Sequence, residues 1–277
     1  MSVVIFVFAI LAVLAAWLPI GRYGRLGLAG VVALAGFGLG VIGGEGLAAL
    51  LVLLLMAWRL QPDARAVSGL VFALLALAMG FGLLPGFTQV VVFGPEAIKS
   101  GSEAYVRGVS LGLVAITLLL LAMHPLGGRW ATAVRAIRLG VGVGLLTAMP
   151  ALGAGYLLGD LAFAPGLPGT AFILTWLGGQ VLTLAMEEGF FRGFLQRHLV
   201  RHVPVAVAIV LAGVLFGLAH FAGGLGWIIG ASIAGVGYGI AYHLGGARLE
   251  ASMAAHLTVN LLHLSLFSYP MLAGLAG

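Results

Sequence analysis

Leu182-Thr183-Leu184-Ala185-Met186-Glu187-Glu188-Gly189-Phe190-Phe191-Arg192 ends an apolar stretch that begins near Thr170, and ends it with two adjacent carboxylates and an arginine. The chain around it is oily. Of 277 residues, 62% are hydrophobic and 8% charged, and the mean hydropathy is +1.19. Soluble domains carry about a quarter charged residues, so a bilayer is the solvent this composition fits. A charged side chain near the bilayer centre costs about 2.5–3.5 kcal/mol on insertion scales, which makes an ionisable residue there a candidate functional group. Glu187 and Glu188 are two such groups. His220, His256 and Asn260 join them from other apolar segments.

Ten apolar segments follow one another, at roughly 3–19, 26–43, 46–58, 66–84, 108–123, 139–158, 170–190, 204–222, 227–243 and 251–268. Runs of about 17–25 apolar residues are transmembrane helices, not the short alternating strands of a barrel. The chain therefore reads as all-α: a polytopic membrane helical bundle of about 8–10 transmembrane helices. Gly43-Gly44-Glu45-Gly46 is a turn signal, and the segments beside it form either two spans or a merged pair. The 45 glycines suit close helix approach in lipid. Residues 1–105 read as N-terminal transmembrane helices of unassigned role, and 106–277 as a C-terminal catalytic bundle with its motifs in 170–268. The polar loop 85–107, with Pro85 and Pro95, is the seam.

Every second loop is rich in arginine: Arg22 and Arg25, Arg59 and Arg65, Arg129, Arg135 and Arg138, Arg192, Arg197 and Arg201, then Arg248. The loop with Asp160 has no basic residue. By the positive-inside rule the arginine-rich loops are cytoplasmic and Asp160 faces out. The net charge of +5 has this bland explanation, and no basic stripe interleaved with aromatics points to nucleic acid. Expected partners are the lipid bilayer and a membrane-associated peptide or protein substrate. The N-terminus enters an apolar run with no positive n-region, as a retained first helix does. With no cysteine, thiolate chemistry and disulfides are excluded.

Depth gives the polar residues a common zone. Pro204 suits the first turn of a helix. Glu187 lies about sixteen residues before this corner and His220 about sixteen after, so at ~1.5 Å per residue both sit ~25 Å from it. His256 lies about one and a half turns into the last segment from the same side. Asn260 follows His256 by one turn on the same face, as His220 follows Phe216. Glu188 and Arg192 have the i, i+4 spacing of an ion pair. The bland reading holds for most other histidines: His263 and His243 as hydrogen-bonded structure, and His124, His198 and His202 as helix-end or interfacial groups.

A carboxylate with imidazoles and an amide is equipped to activate water. Glutamate acts as general base, and His or Asn donors stabilise a tetrahedral oxyanion. Hydrolysis of a peptide bond fits. No Gly-x-Ser-x-Gly elbow is present. Glu and His donors leave room for a divalent metal such as zinc, although His-Glu-x-x-His is missing. The rival class is a proton- or cation-coupled transporter, for which the polar residues should continue across the membrane, and they do not. There is no inverted repeat either. A non-catalytic immunity or scaffold protein is the third reading.

Three motifs carry a resemblance. Glu187-Glu188-Gly189-Phe190-Phe191-Arg192 resembles the E-E-x-x-x-R motif of the CAAX-protease and bacteriocin-processing (CPBP) intramembrane endopeptidases. Phe216-Gly217-Leu218-Ala219-His220 resembles F-x-x-x-H, and His256-Leu257-Thr258-Val259-Asn260 resembles H-x-x-x-N. Each is weak alone; the three in order on three apolar segments are specific. The resemblance implies a metalloprotease-like intramembrane peptidase in which Glu187 activates water with help from His220. It further implies that His256 and Asn260 face the oxyanion, while Glu188 and Arg192 orient the site. Participation of a metal is disputed for the family. The Gly- and Ala-rich composition places the protein in a bacterial inner (plasma) membrane.

Overall fold

The structure is a computed structural model and describes residues 1–59, 66–97, 104–124 and 130–268. Arg65, Lys99, Glu103 and Arg129, which contribute to the loop charges, lie outside the described residues. The helices are α1 (Ser2–Ala15), α2 (Gly21–Gly38), α3 (Gly44–Arg59), α4 (Ala66–Gly80), α5 (Leu111–Met123), α6 (Trp130–Leu157), α7 (Thr170–Glu188), the single turn α8 (Arg197–Leu199), α9 (Val205–Leu218), α10 (Leu225–Leu244) and α11 (Leu249–Leu266). Between α7 and α8 runs a π-helix, Gly189–Gln196. The all-α expectation holds. The segments on either side of Gly43 are two separate helices, α2 and α3.

One expectation is corrected. The polar loop expected at 85–107 holds β1 (Val90–Ala97) and the start of β2 (Ala104–Val109), paired as a two-stranded sheet. Val90-Val91-Val92-Phe93 is β-branched and aromatic, and such residues fit a pleated strand. A search for helical runs passes over a segment this short.

The chain divides into two compact units. The first comprises 1–94, 107–127 and 178–194. Its centre is α5, buried from Leu111 to Ala122 with only Leu113 less than fully covered. A helix that is apolar on every side belongs inside a bundle, and α1, α2, α3 and α4 all pack on α5. Ser110 caps its start, accepting from the Leu113 N–H at 3.5 Å. Arg22 and Arg25, expected in the first loop, lie in the first turns of α2 and cap the ends of other helices. Arg25, 4% exposed, donates through Nε to the Ala16 carbonyl at 2.7 Å. Arg22 donates to the carbonyls of Ala57 and Trp58 at the end of α3, where a cation suits the helix dipole.

The second unit comprises 95–106, 128–177 and 195–277. Here α6 packs on α10 and α11, and α10 packs on α9. Small residues set the spacing. A Cβ at Gly144 of α6 would lie 2.6 Å from the Ala255 carbonyl oxygen of α11, and one at Gly140 would strike the Ala251 carbonyl. On α9 a Cβ at Gly213 would lie 2.7 Å from the Val236 nitrogen of α10. Such backbone proximity is how helices associate where no hydrophobic drive exists between them. At one end Ala162–Phe163 (β3) pairs antiparallel with Phe267–Ser268 (β4), tying the loop after α6 to the end of α11.

Surface character names the solvent. On α9, Val205, Val207, Val210, Leu211, Val214, Leu215 and Leu218 all face outward. On α6, Leu146 and Met149 are 75% and 78% exposed. A water-facing helix alternates apolar and polar faces; α9 has no polar side chain at all. The helices Trp130–Leu157 and Leu225–Leu244 are long and apolar enough to cross a membrane.

Candidate active site

The adjacent glutamates at the end of α7 occupy different environments. Glu188 is 0% exposed and Arg192, one turn on, is also 0% exposed. Arg192 donates from Nη1 to Glu188 Oε1 at 3.1 Å, so the predicted i, i+4 ion pair forms. Glu187 is only partly buried. One carboxylate is therefore locked into a buried pair and its neighbour is only partly buried. Successive helix residues point about 100° apart, which suffices to separate them.

The π-helix begins at Gly189, immediately after this pair. Its i→i+5 bonding is rare and recurs at functional sites. The aromatic packing of this segment supplies a local reason for the wider turn. Phe190 lies edge-on to Phe191 at 5.0 Å and stacked with Phe194 at 6.3 Å, and Phe194 meets Phe72 of α4 at 5.5 Å. The depth reckoning for Glu187 assumed an unbroken α-helix to Pro204. The π segment and the short turn α8 replace that helix, so the even ~1.5 Å rise does not apply there.

In the second unit the other two motifs meet. His220 lies just beyond α9 and approaches the Phe216 carbonyl oxygen through Nδ1 at 2.8 Å. A carbonyl only accepts, so Nδ1 carries a proton and is the donor in this contact. Phe216 links the two histidines: its ring centroid is 4.6 Å from that of His220 and 5.6 Å from that of His256. His256, 5% exposed, stacks on Tyr238 of α10 at 4.3 Å and 18°. Asn260 follows on α11, partly exposed. Tyr238 went unnoticed in the sequence, where one aromatic on an oily helix carries no signal.

Gln196, 1% exposed at the end of the π-helix, donates to the Gly239 carbonyl at 3.0 Å. The histidines given bland readings are placed as follows. His263 lies beside Trp227 at 5.8 Å, and His198 and His202 face each other at 5.1 Å at the corner before α9. Among the described residues, no three His, Cys, Asp or Glu side chains gather so as to hold a metal ion. The metalloprotease-like expectation is thus without support among the described residues.

Residues 169–262 match the family described as type II CAAX prenyl endopeptidase Rce1-like, and all three motifs fall within that stretch. This stretch matches the CAAX-protease (CPBP) family, which is one of membrane-embedded proteases. Neither curated proteins nor solved structures yield a match.

Proposed function

We propose that this protein is a glutamate-dependent intramembrane endopeptidase of a bacterial inner membrane, hydrolysing a peptide bond in a membrane-associated peptide or protein. The observation that carries the reading is the contrast within one dipeptide: Glu188 is fully buried in an ion pair with Arg192 while Glu187 is only partly buried. Glu187 takes a proton from water, and the resulting hydroxide attacks the scissile carbonyl. His220 assists in moving that proton. His256 and Asn260 donate to the oxyanion that forms, and the proton held by the base passes to the leaving amine. Preorganised donors of this kind supply much of the stabilisation in acyl transfer. Glu188 and Arg192 hold the helix end that presents Glu187.

The test uses the full chain in proteoliposomes with fluorogenic peptides ending in a prenylated CAAX-type sequence, alongside unprenylated membrane peptides. Glu187→Gln keeps the side-chain size and removes the base, so hydrolysis should fall by about 10²–10⁴-fold with unchanged thermal stability. Equal rates for Glu187→Gln and wild type would reject the role given to Glu187.

A further inference from the structure

We propose that Tyr238 is a positioning residue that fixes the plane of the His256 imidazole, and that Gly235-Val236-Gly237-Tyr238-Gly239 is the element that holds it there. None of the three motifs includes this segment. The proposal rests on the hydrolytic reading, since His256 must aim a nitrogen at the reacting carbonyl.

The geometry is specific. The terminal torsion of a histidine is broad, so covalent structure alone leaves the ring free to turn. Tyr238 covers one face at 4.3 Å in a near-parallel stack, and Phe216 stands against His256 at 87°. Tyr238 and Phe216 also pack edge to face, at 5.9 Å and 77°. Both are buried, Tyr238 to 1% and Phe216 to 2% exposure. A ring held on its face and by a perpendicular neighbour has its plane fixed.

The flanking glycines explain how a large residue reaches this spot on a crowded helix. A Cβ at Gly235 would lie 2.9 Å from the Gly213 Cα and 3.1 Å from Phe216 Cδ1, so its absence lets α9 close in. At Gly237 a Cβ would collide with Thr147 of α6. At Gly239 it would lie 2.7 Å from Gln196 Oε1, and the Gly239 carbonyl accepts from the Gln196 amide. Five residues of α10 thus touch α6, α9, α11 and the end of the π-helix. In that setting Tyr238 has no room to leave the His256 face.

The experiment compares Tyr238→Leu and Tyr238→Phe in nanodiscs, using a fluorogenic prenylated CAAX-type peptide and ¹³C-histidine spectra in which His256→Gln identifies the His256 signals. Misplacing a reacting group by about 1 Å costs up to ~10²-fold. The expected result for Tyr238→Leu is a fall in kcat of about tenfold or more, a smaller change in KM, and a downfield move of the His256 ring protons as the stack is lost. Tyr238→Phe should restore most of kcat and the ring shifts. Wild-type kcat in Tyr238→Leu, or equal impairment in Tyr238→Phe, would overturn the proposal. If Tyr238→Leu does not fold, Tyr238→Met removes the ring with an unbranched side chain. If the wild-type chain cleaves no peptide, the hydrolytic reading is lost and the spectra decide: His256 shifts unchanged without the Tyr238 ring overturn the positioning, and moved shifts support it.

Discussion

The first motif and the other two are held by different physics. In the first unit Glu188 and Arg192 are each fully buried and grip one another by charge. In the second unit His220 and His256 pack against aromatic rings, and His220 donates to a backbone carbonyl. A buried ion pair is all or nothing, because losing one partner strands the other in a low-dielectric interior. An aromatic cluster degrades gradually, since each contact contributes about 0.5–1.5 kcal/mol beyond burial. The first arrangement suits a fixed frame, and the second suits groups that must hold orientation while changing protonation.

The sharpest way to break this contrast is Arg192→Met. It leaves Glu188 without the guanidinium at 3.1 Å and should cost about 3–5 kcal/mol, read by denaturant unfolding in mixed micelles. Adding Glu188→Leu should recover most of that loss, as apolar replacement of a whole buried pair often does. A single-variant cost under ~1 kcal/mol, the scale of an exposed pair, would show that the frame is not electrostatic.

A smaller effect is expected from Gly217→Ala in the second unit. The new methyl would lie 2.5 Å from the Ile228 carbonyl oxygen and against the Ser232 hydroxyl, prying α9 from α10. Overpacking of this kind costs about 1–3 kcal/mol. The same unfolding measurement should show it, and an unchanged midpoint would mean the aromatic cluster tolerates looser packing than described.

The smallest effect concerns pH at the corner before α9. Burial, then His202 and Arg201, hold the His198 imidazole below its ordinary value. The unfolded chain therefore takes up this proton first as pH falls. The stability His198 contributes is complete above the unfolded value of about 6.5 and is lost as pH drops through its lowered folded value. Thermal unfolding across that range should decline less steeply in His198→Gln. An identical slope would remove His198 from the account.

The parts of this molecule visible in its sequence are those that obey a period or a spacing. The Glu188–Arg192 pair follows from i, i+4 geometry, and the helices follow from unbroken apolar runs. The strands β1 and β2 give little signal because Val90-Val91-Val92-Phe93 is apolar like everything near it, and too short to stand out. The stack of Tyr238 on His256 joins residues eighteen positions apart on different helices, and no local rule reports such a contact. The first-loop arginines were legible as charge but not as helix caps, because capping depends on which carbonyls arrive nearby. The π-helix was hidden for another reason: its residues would form an ordinary helix equally well by propensity.

That π-helix makes one place in the gene unusually tolerant of a change in length. A π turn accommodates a residue more than an α turn does, so removing a codon between 189 and 196 would let the segment anneal into regular α-helix. The residue lost is the one that the wide turn absorbs, so the flanking side chains, Glu187 among them, would keep nearly their present directions. The same deletion inside α7 would turn everything beyond it by about 100°. A lost codon should therefore be borne here and ruinous a few positions earlier, where no wide turn can take up the difference.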